Sequence, residues 1–194
     1  MGLSICDTKS IVELQFGDFI TSGFNPVVNY LAKSYYRWGQ NADVVLRMPC
    51  GAGVGAGPFH SQTNEAWFTK TPGLKVVYPA FPADAKGLLI SSIEDPNPVL
   101  FFEHKALYRS VRQDVPEGYY NQPLGKACYL TQGNDITIIT YGAPVHKALE
   151  IIKKIDTHTF DLIDLRSLCP LDKDAIINSV KNTGKAIILQ EDSM

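Results

Sequence analysis

Four glycines at alternate positions, Gly51, Gly53, Gly55 and Gly57, follow an apolar stretch, Val44-Val45-Leu46, and precede Pro58. Glycine reaches backbone conformations closed to other residues and lets another group approach the main chain. Pro58 ends any regular element. His60 stands at the far end of the loop, and Leu74-Lys75-Val76-Val77-Tyr78-Pro79 returns to a buried strand. Function concentrates on loops carried by a rigid scaffold. His60, an imidazole that can either give or take a proton, is therefore a candidate acid–base group. The alternative reading is a flexible crossover with a solvated surface histidine. A dinucleotide fingerprint fails here. Counted from Gly51 its third glycine is Ala56, Pro58 blocks the helix, and the next strand ends without an acid.

Strands and helices alternate around this loop. Ile11–Phe16 alternates like a strand, and residues 18–37 carry apolar side chains at helical spacing. Asn25 is the expected N-cap before Pro26, and Gly39 the expected stop. Val44–Leu46, Lys75–Tyr78 and Pro98–Phe102 read as strands, with an amphipathic helix over 83–94. This rhythm predicts a mainly parallel sheet covered on both faces, over residues 1–112. Residues 113–125 lie in a stretch without apolar pattern and form a linker. Residues 126–194 repeat β-α-β-α-β: strands at 135–140, 160–164 and 185–189, helices at 143–155 and 172–180. Fewer than 75 residues make a thin core, so this second α/β domain is expected to be partial or to lean on a neighbour.

Among 194 residues, 45% are hydrophobic and 20% charged, and the net charge is −2. That balance gives no electrostatic reason to expect nucleic acid or an anionic membrane as partner. No apolar run approaches the roughly 20 residues of a bilayer span. Cys6, Cys50, Cys128 and Cys169 are far apart, so neither a zinc site nor a disulfide framework is expected. The expected compartment is cytoplasmic in a bacterium and the mitochondrial matrix in a eukaryote.

His60-Ser61-Gln62, Glu65-Ala66-Trp67-Phe68, Pro72–Val77, Ala85–Leu89, Ile93–Pro98, Phe101-Phe102-Glu103 and Asp164–Pro170 occur in one order along the chain. Together they resemble the β subunit of the thiamine-dependent dehydrogenase component of 2-oxoacid dehydrogenase complexes. The resemblance runs from about Ile11 to Glu191, and Phe101–Arg109 leans toward the branched-chain type. It implies a transketolase-like pyrimidine-binding domain followed by part of a C-terminal domain. The implied reaction is oxidative decarboxylation of a branched-chain 2-oxo acid or pyruvate, with acyl transfer to lipoyl groups. The implied partners are an α subunit, a second β subunit in an α2β2 assembly, and a lipoyl acyltransferase core. The rival readings are another transketolase-like enzyme, such as transketolase or deoxyxylulose phosphate synthase, and a non-catalytic assembly module.

The same resemblance assigns site residues. His60 matches the family's active-site histidine. Gln15 and Phe19 match positions lining the aminopyrimidine of thiamine diphosphate. No Gly-Asp-Gly occurs in the chain, Gly17-Asp18-Phe19 being the nearest triplet. The diphosphate and its Mg²⁺ are thus assigned to the α subunit. The family's activating glutamate lies upstream of the segment matching 11–16, so the chain alone is expected to be inactive. K⁺ is implied at the loop after the 83–94 helix, through Val44, Ser92, Ile93, Asp95 and Asn97. A plain helix stop is the alternative there, because Asp-Pro-Asn-Pro is turn chemistry. Asp164, Arg166 and Asp172 read as a surface salt-bridge network, and His104, His146 and His158 as solvated or capping residues.

Overall fold

A computed structural model describes residues 1–192. Among the described residues nine strands form two sheets: β1 (Ser10–Glu13), β2 (Val44–Cys50), β3 (Lys75–Val77), β4 (Val99–His104), β5 (Cys128–Thr131), β6 (Ile136–Thr140), β7 (Phe160–Asp164), β8 (Ser167–Cys169) and β9 (Ala186–Ile188). The α-helices are α1 (Gly2–Ile5), α2 (Ser34–Trp38), α3 (Ala66–Thr69), α4 (Pro82–Glu94), α5 (Leu107–Ser110), α6 (Ala143–Ile152) and α7 (Lys173–Thr183). The first sheet has the order β1-β2-β4-β3-β8, parallel throughout except for β8, and the second β5-β7-β6-β9, with β5 antiparallel. The class is α/β with mainly parallel sheets, as the strand–helix rhythm predicts.

The central strands of the first sheet are apolar on both faces. Val44, Val45, Leu46 and Met48 on β2 and Val99–Phe102 on β4 are all buried. One face packs on Ile20, Val27, Leu31 and Phe68, the other on Leu88 of α4. Such two-sided burial is what parallel strands require.

The start of the chain departs from the expected strand and helix. The first strand ends at Glu13, and residues 15–16 leave the sheet to build the site described below. The single helix expected over 18–37 is three pieces: a 3₁₀ segment (Gly17–Gly23), a π-helical turn (Pro26–Leu31) and α2. Pro26 lacks an N–H and crowds the carbonyl four residues back, which breaks the ladder there. Asn25 is itself helical and makes no side-chain cap. Gly39, at φ +68°, does stop α2.

β8 reaches across from the second half of the chain to pair with β3 in the first sheet. Beside it Tyr78 N–H donates to the Arg166 carbonyl at 2.7 Å. Arg166 does not join a surface network. Its guanidinium grips Asp84 of α4 at 2.7 and 3.1 Å. Asp164 and Asp172 are buried rather than solvated, Asp172 capping α7 through Ala175 N–H. His104 is also buried and faces Glu191, whereas His158 is exposed as expected and His146 contacts the Ala80 carbonyl. All four cysteines are free thiols.

Candidate active site at the glycine loop

The glycine loop leaves the C-terminal end of β2, where parallel α/β sheets carry their ligand crevices. Gly51, Gly53, Gly55 and Gly57 all have positive φ, between +72° and +87°. At Gly51 a side chain is excluded outright, because a Cβ would lie 2.2 Å from the His104 ring. The loop is tied back by Gly51 N–H, which donates to the Gln62 carbonyl at 3.0 Å.

This return delivers His60 to two aromatic rings. His60 lies edge-to-face on Phe16, centroids 4.6 Å apart, and on Phe19 at 5.5 Å, while the two phenylalanines meet at 5.7 Å. Phe19 is 43% exposed. An aromatic ring held on edge by its neighbours and open on the other side offers an apolar face to a heteroaromatic ligand. Gln15, next to Phe16 in the chain, is exposed, and no described contact joins it to the three rings. The residues present therefore fit the pyrimidine side of thiamine diphosphate.

Beneath the wall lies a layer of buried polar groups. Asp18 Oδ1 accepts from Gln62 N–H at 3.1 Å, and Asn64 Nδ2 donates to the Gly17 carbonyl at 3.2 Å. Glu65 accepts from the Tyr141 hydroxyl at 2.9 Å, and burial raises its pKa. The Cys50 thiol sits 3.0 Å from the Tyr78 hydroxyl, and burial pushes both upward. His104 Nε2 meets Glu191 at 2.7 Å, a hydrogen bond that lowers the Glu191 pKa. Glu191 also accepts from Ala52 N–H, which anchors the glycine loop at 3.0 Å. Lys105 lies over Phe16, its Nζ 5.4 Å from the ring centroid.

Sequence reasoning placed His60 and Phe19 in one site, and the fold brings them together. It missed Phe16, read as a strand residue, and Asp18, Asn64, Glu65 and Lys105. The Phe16–Phe19 spacing is one turn of helix, a signal available in the sequence once the strand is ended at Glu13.

The residues assigned to K⁺ occupy the end of α4 and the start of β2. The Asp95 carboxylate is not an open charge there. One oxygen takes the Asn97 backbone and side-chain N–H groups at 2.9 Å each, and the other takes the Lys75 ammonium. Burial would raise this carboxyl, but Lys75 and Asn97 hold it below its usual value. The Ser92 hydroxyl is likewise engaged, on the Leu88 carbonyl at 2.7 Å. The main-chain carbonyls differ. Pro96 and Pro98 have no N–H, and Asn97 N–H goes to Asp95, so Ser92, Ile93 and Glu94 lack their helical donors. Among the described residues no group of three or more His, Cys, Asp or Glu side chains could hold a metal. A cavity of about 490 Å³ lies nearby, lined in part by Tyr35, Pro96 and Asn97, away from His60.

Comparison with known proteins places the chain in a family. The transketolase pyrimidine-binding domain matches residues 1–111, and the transketolase C-terminal domain residues 125–194. The chain is 43% identical over 197 residues to 2-oxoisovalerate dehydrogenase subunit beta of Bacillus subtilis (strain 168), covering all of this chain and 60% of that protein. It is 42% identical over 195 residues to pyruvate dehydrogenase E1 component subunit beta of Staphylococcus aureus (strain Mu50 / ATCC 700699), covering 98% of this chain and 60% of that one. The chain thus spans about three-fifths of the length of these relatives. A solved structure described as a split gene transketolase, inactive beta4 tetramer, superposes with a TM-score of 0.79 at 23% identity, covering 98% of this chain and 60% of that one. The chain belongs to the transketolase pyrimidine-binding domain family, and a transketolase C-terminal domain follows it.

Proposed function

We propose that these 194 residues are the pyrimidine-side part of the β subunit of a thiamine-diphosphate-dependent 2-oxoacid dehydrogenase. The observation that carries this reading is the wall made by Phe16, Phe19 and His60 at the C-terminal ends of parallel strands. The relatives' names, at 42–43% identity, support the substrate class of 2-oxo acids. In this reading the α subunit holds the diphosphate and Mg²⁺, a second β subunit completes α2β2, and the acyl group passes to a lipoyl acyltransferase core. Thiamine diphosphate, when bound, supplies the electron sink for decarboxylation. Phe19 and Phe16 offer the aminopyrimidine an apolar surface and exclude water from it, and Gln15 offers a hydrogen bond at its rim. His60 Nδ1 and Nε2 hold or release a proton at the mouth of the site.

K⁺ belongs to the same reading. It rests on main-chain carbonyls at the end of α4, because Lys75 already neutralises Asp95.

His60→Ala, made in the complete β subunit assembled with its α partner, should lower turnover by roughly 10²–10⁴-fold. The assay is steady-state 2-oxo acid decarboxylation at saturating cofactor, with thermal melting as a control for folding. Undiminished turnover would return His60 to the role of a surface residue. Assembly with the α subunit without any turnover, in the unmutated protein, would favour a non-catalytic module.

A further inference from the structure

We propose that Asp18 is the positioning residue of the His60 arm, clamping Gln62 from below while Lys105 balances its charge. The inference rests on the reading of His60 as the acid–base group.

Asp18 lies in the first turn of the 3₁₀ segment that also carries Phe19, and only 5% of it is exposed. Oδ1 accepts the Gln62 N–H at 3.1 Å, two residues beyond His60. The Gln62 carbonyl in turn takes Gly51 N–H at the base of the glycine loop. Both main-chain groups of Gln62 are thus fastened, the N–H to the aromatic wall's own segment and the carbonyl to the end of β2. His60 itself has a weaker tether, its N–H reaching the Gly57 carbonyl at 3.3 Å. Without the clamp, nothing else among the described hydrogen bonds ties residues 60–62 to the segment bearing Phe16 and Phe19.

A buried carboxylate needs a countercharge. Asp18 Oδ2 and Lys105 Nζ are both buried and without hydrogen-bond partners. Burial lowers the Lys105 pKa, while the field of Cys50, Asp18 and Glu191 opposes that fall. Arg47, three residues before Cys50 on β2, is already bound to Glu103 and Glu13. Lys105, without a hydrogen-bond partner of its own and 5.4 Å over the Phe16 ring, therefore serves Asp18 through space.

The test uses the complete β subunit with its α partner. Asp18→Ala should lower kcat about 10–100-fold with KM within about threefold, the signature of a misplaced catalytic group. Hydrogen exchange at residues 60–62 should quicken. Asp18→Asn keeps the accepting oxygen and should recover most of the exchange protection. Adding Lys105→Met to Asp18→Asn removes both charges and should bring activity closer to wild type than either single change. In a His60→Ala background, Asp18→Ala should cost little more, because the two act as one unit. Additive losses, or unchanged exchange at Gln62, would overturn the clamp. If Asp18→Ala fails to fold, the Asn and Met pair decides alone, and two singles that simply add would overturn it. If His60→Ala keeps full turnover, the reading of His60 falls, while the exchange measurement still judges the clamp.

Discussion

Asp164 is a carboxyl group with one oxygen satisfied and one not. It has no solvent exposure; Oδ1 accepts Arg166 N–H at 3.1 Å, while Oδ2 and the Thr140 hydroxyl opposite in register lack partners. Burial pushes its pKa up to about 7, with Asp84 adding to the rise and Arg166 opposing it. The native state then binds this proton more tightly than the unfolded chain does. Stability should rise as pH falls from about 7 toward the ordinary value of 3.8, by at most about 1.4 kcal/mol per pH unit. Asp164→Asn should therefore be the more stable protein at pH 8 in urea denaturation, with the advantage fading toward pH 5. Parallel curves across that range would show that Asp164 is ionised without penalty. The sequence marked Asp164 only as charged and so placed it on the surface. Burial of a charge is invisible in residue type when the covering groups come from distant segments. The same holds for Lys105 and Asp18. By contrast, the loop that carries His60 is legible because its glycines and Pro58 are neighbours in the sequence.

At the scale of elements, strands were read well and the first helix badly. β2, β4, β6 and β7 are apolar runs with clear boundaries, whereas β5 and β8 are short edge strands whose pairing depends on where the chain returns. The 18–37 segment keeps helical spacing while its ladder changes type twice, which periodicity does not register. The end of α4 was legible as a stop, and its proline spacing explains the bare carbonyls. A cation bound only to the folded state adds RT ln(1 + [K⁺]/Kd), about 2.7 kcal/mol at a hundredfold excess over Kd. The melting temperature should rise in KCl and not in tetramethylammonium chloride at equal ionic strength. Because Lys75 holds the carboxylate, Lys75→Met should keep that difference. Equal melting in both salts would leave the loop a plain helix stop.

Over the whole molecule, the two sheets share a seam. Arg166 lies at φ +56°, in the left-handed region, and its side chain is spent on Asp84 across the seam. The pair is largely buried, with 15% and 8% of the side chains exposed. Removing one partner strands the other, so Arg166→Ala should cost about 3–5 kcal/mol. Chemical denaturation monitored by tryptophan fluorescence would measure it, since Trp38 and Trp67 both belong to the first half of the chain. A loss below about 1 kcal/mol would mean that water compensates Asp84 freely. The return of β8 to the first sheet is not legible in the sequence, since three residues carry too little pattern to reveal their partner.

That return has a consequence for anyone recombining these proteins. A splice at the linker, between residues 112 and 126, follows the chain but not the sheet. The upstream piece would lose β8 and bare the outer edge of β3, a row of unpaired backbone groups that recruits stray strands from other molecules. Chimeras that exchange everything from β5 onward should stay soluble only when donor and recipient agree at two places: the strand equivalent to Ser167–Cys169 and the residue facing Asp84. The unit of inheritance in this molecule is therefore larger than either half.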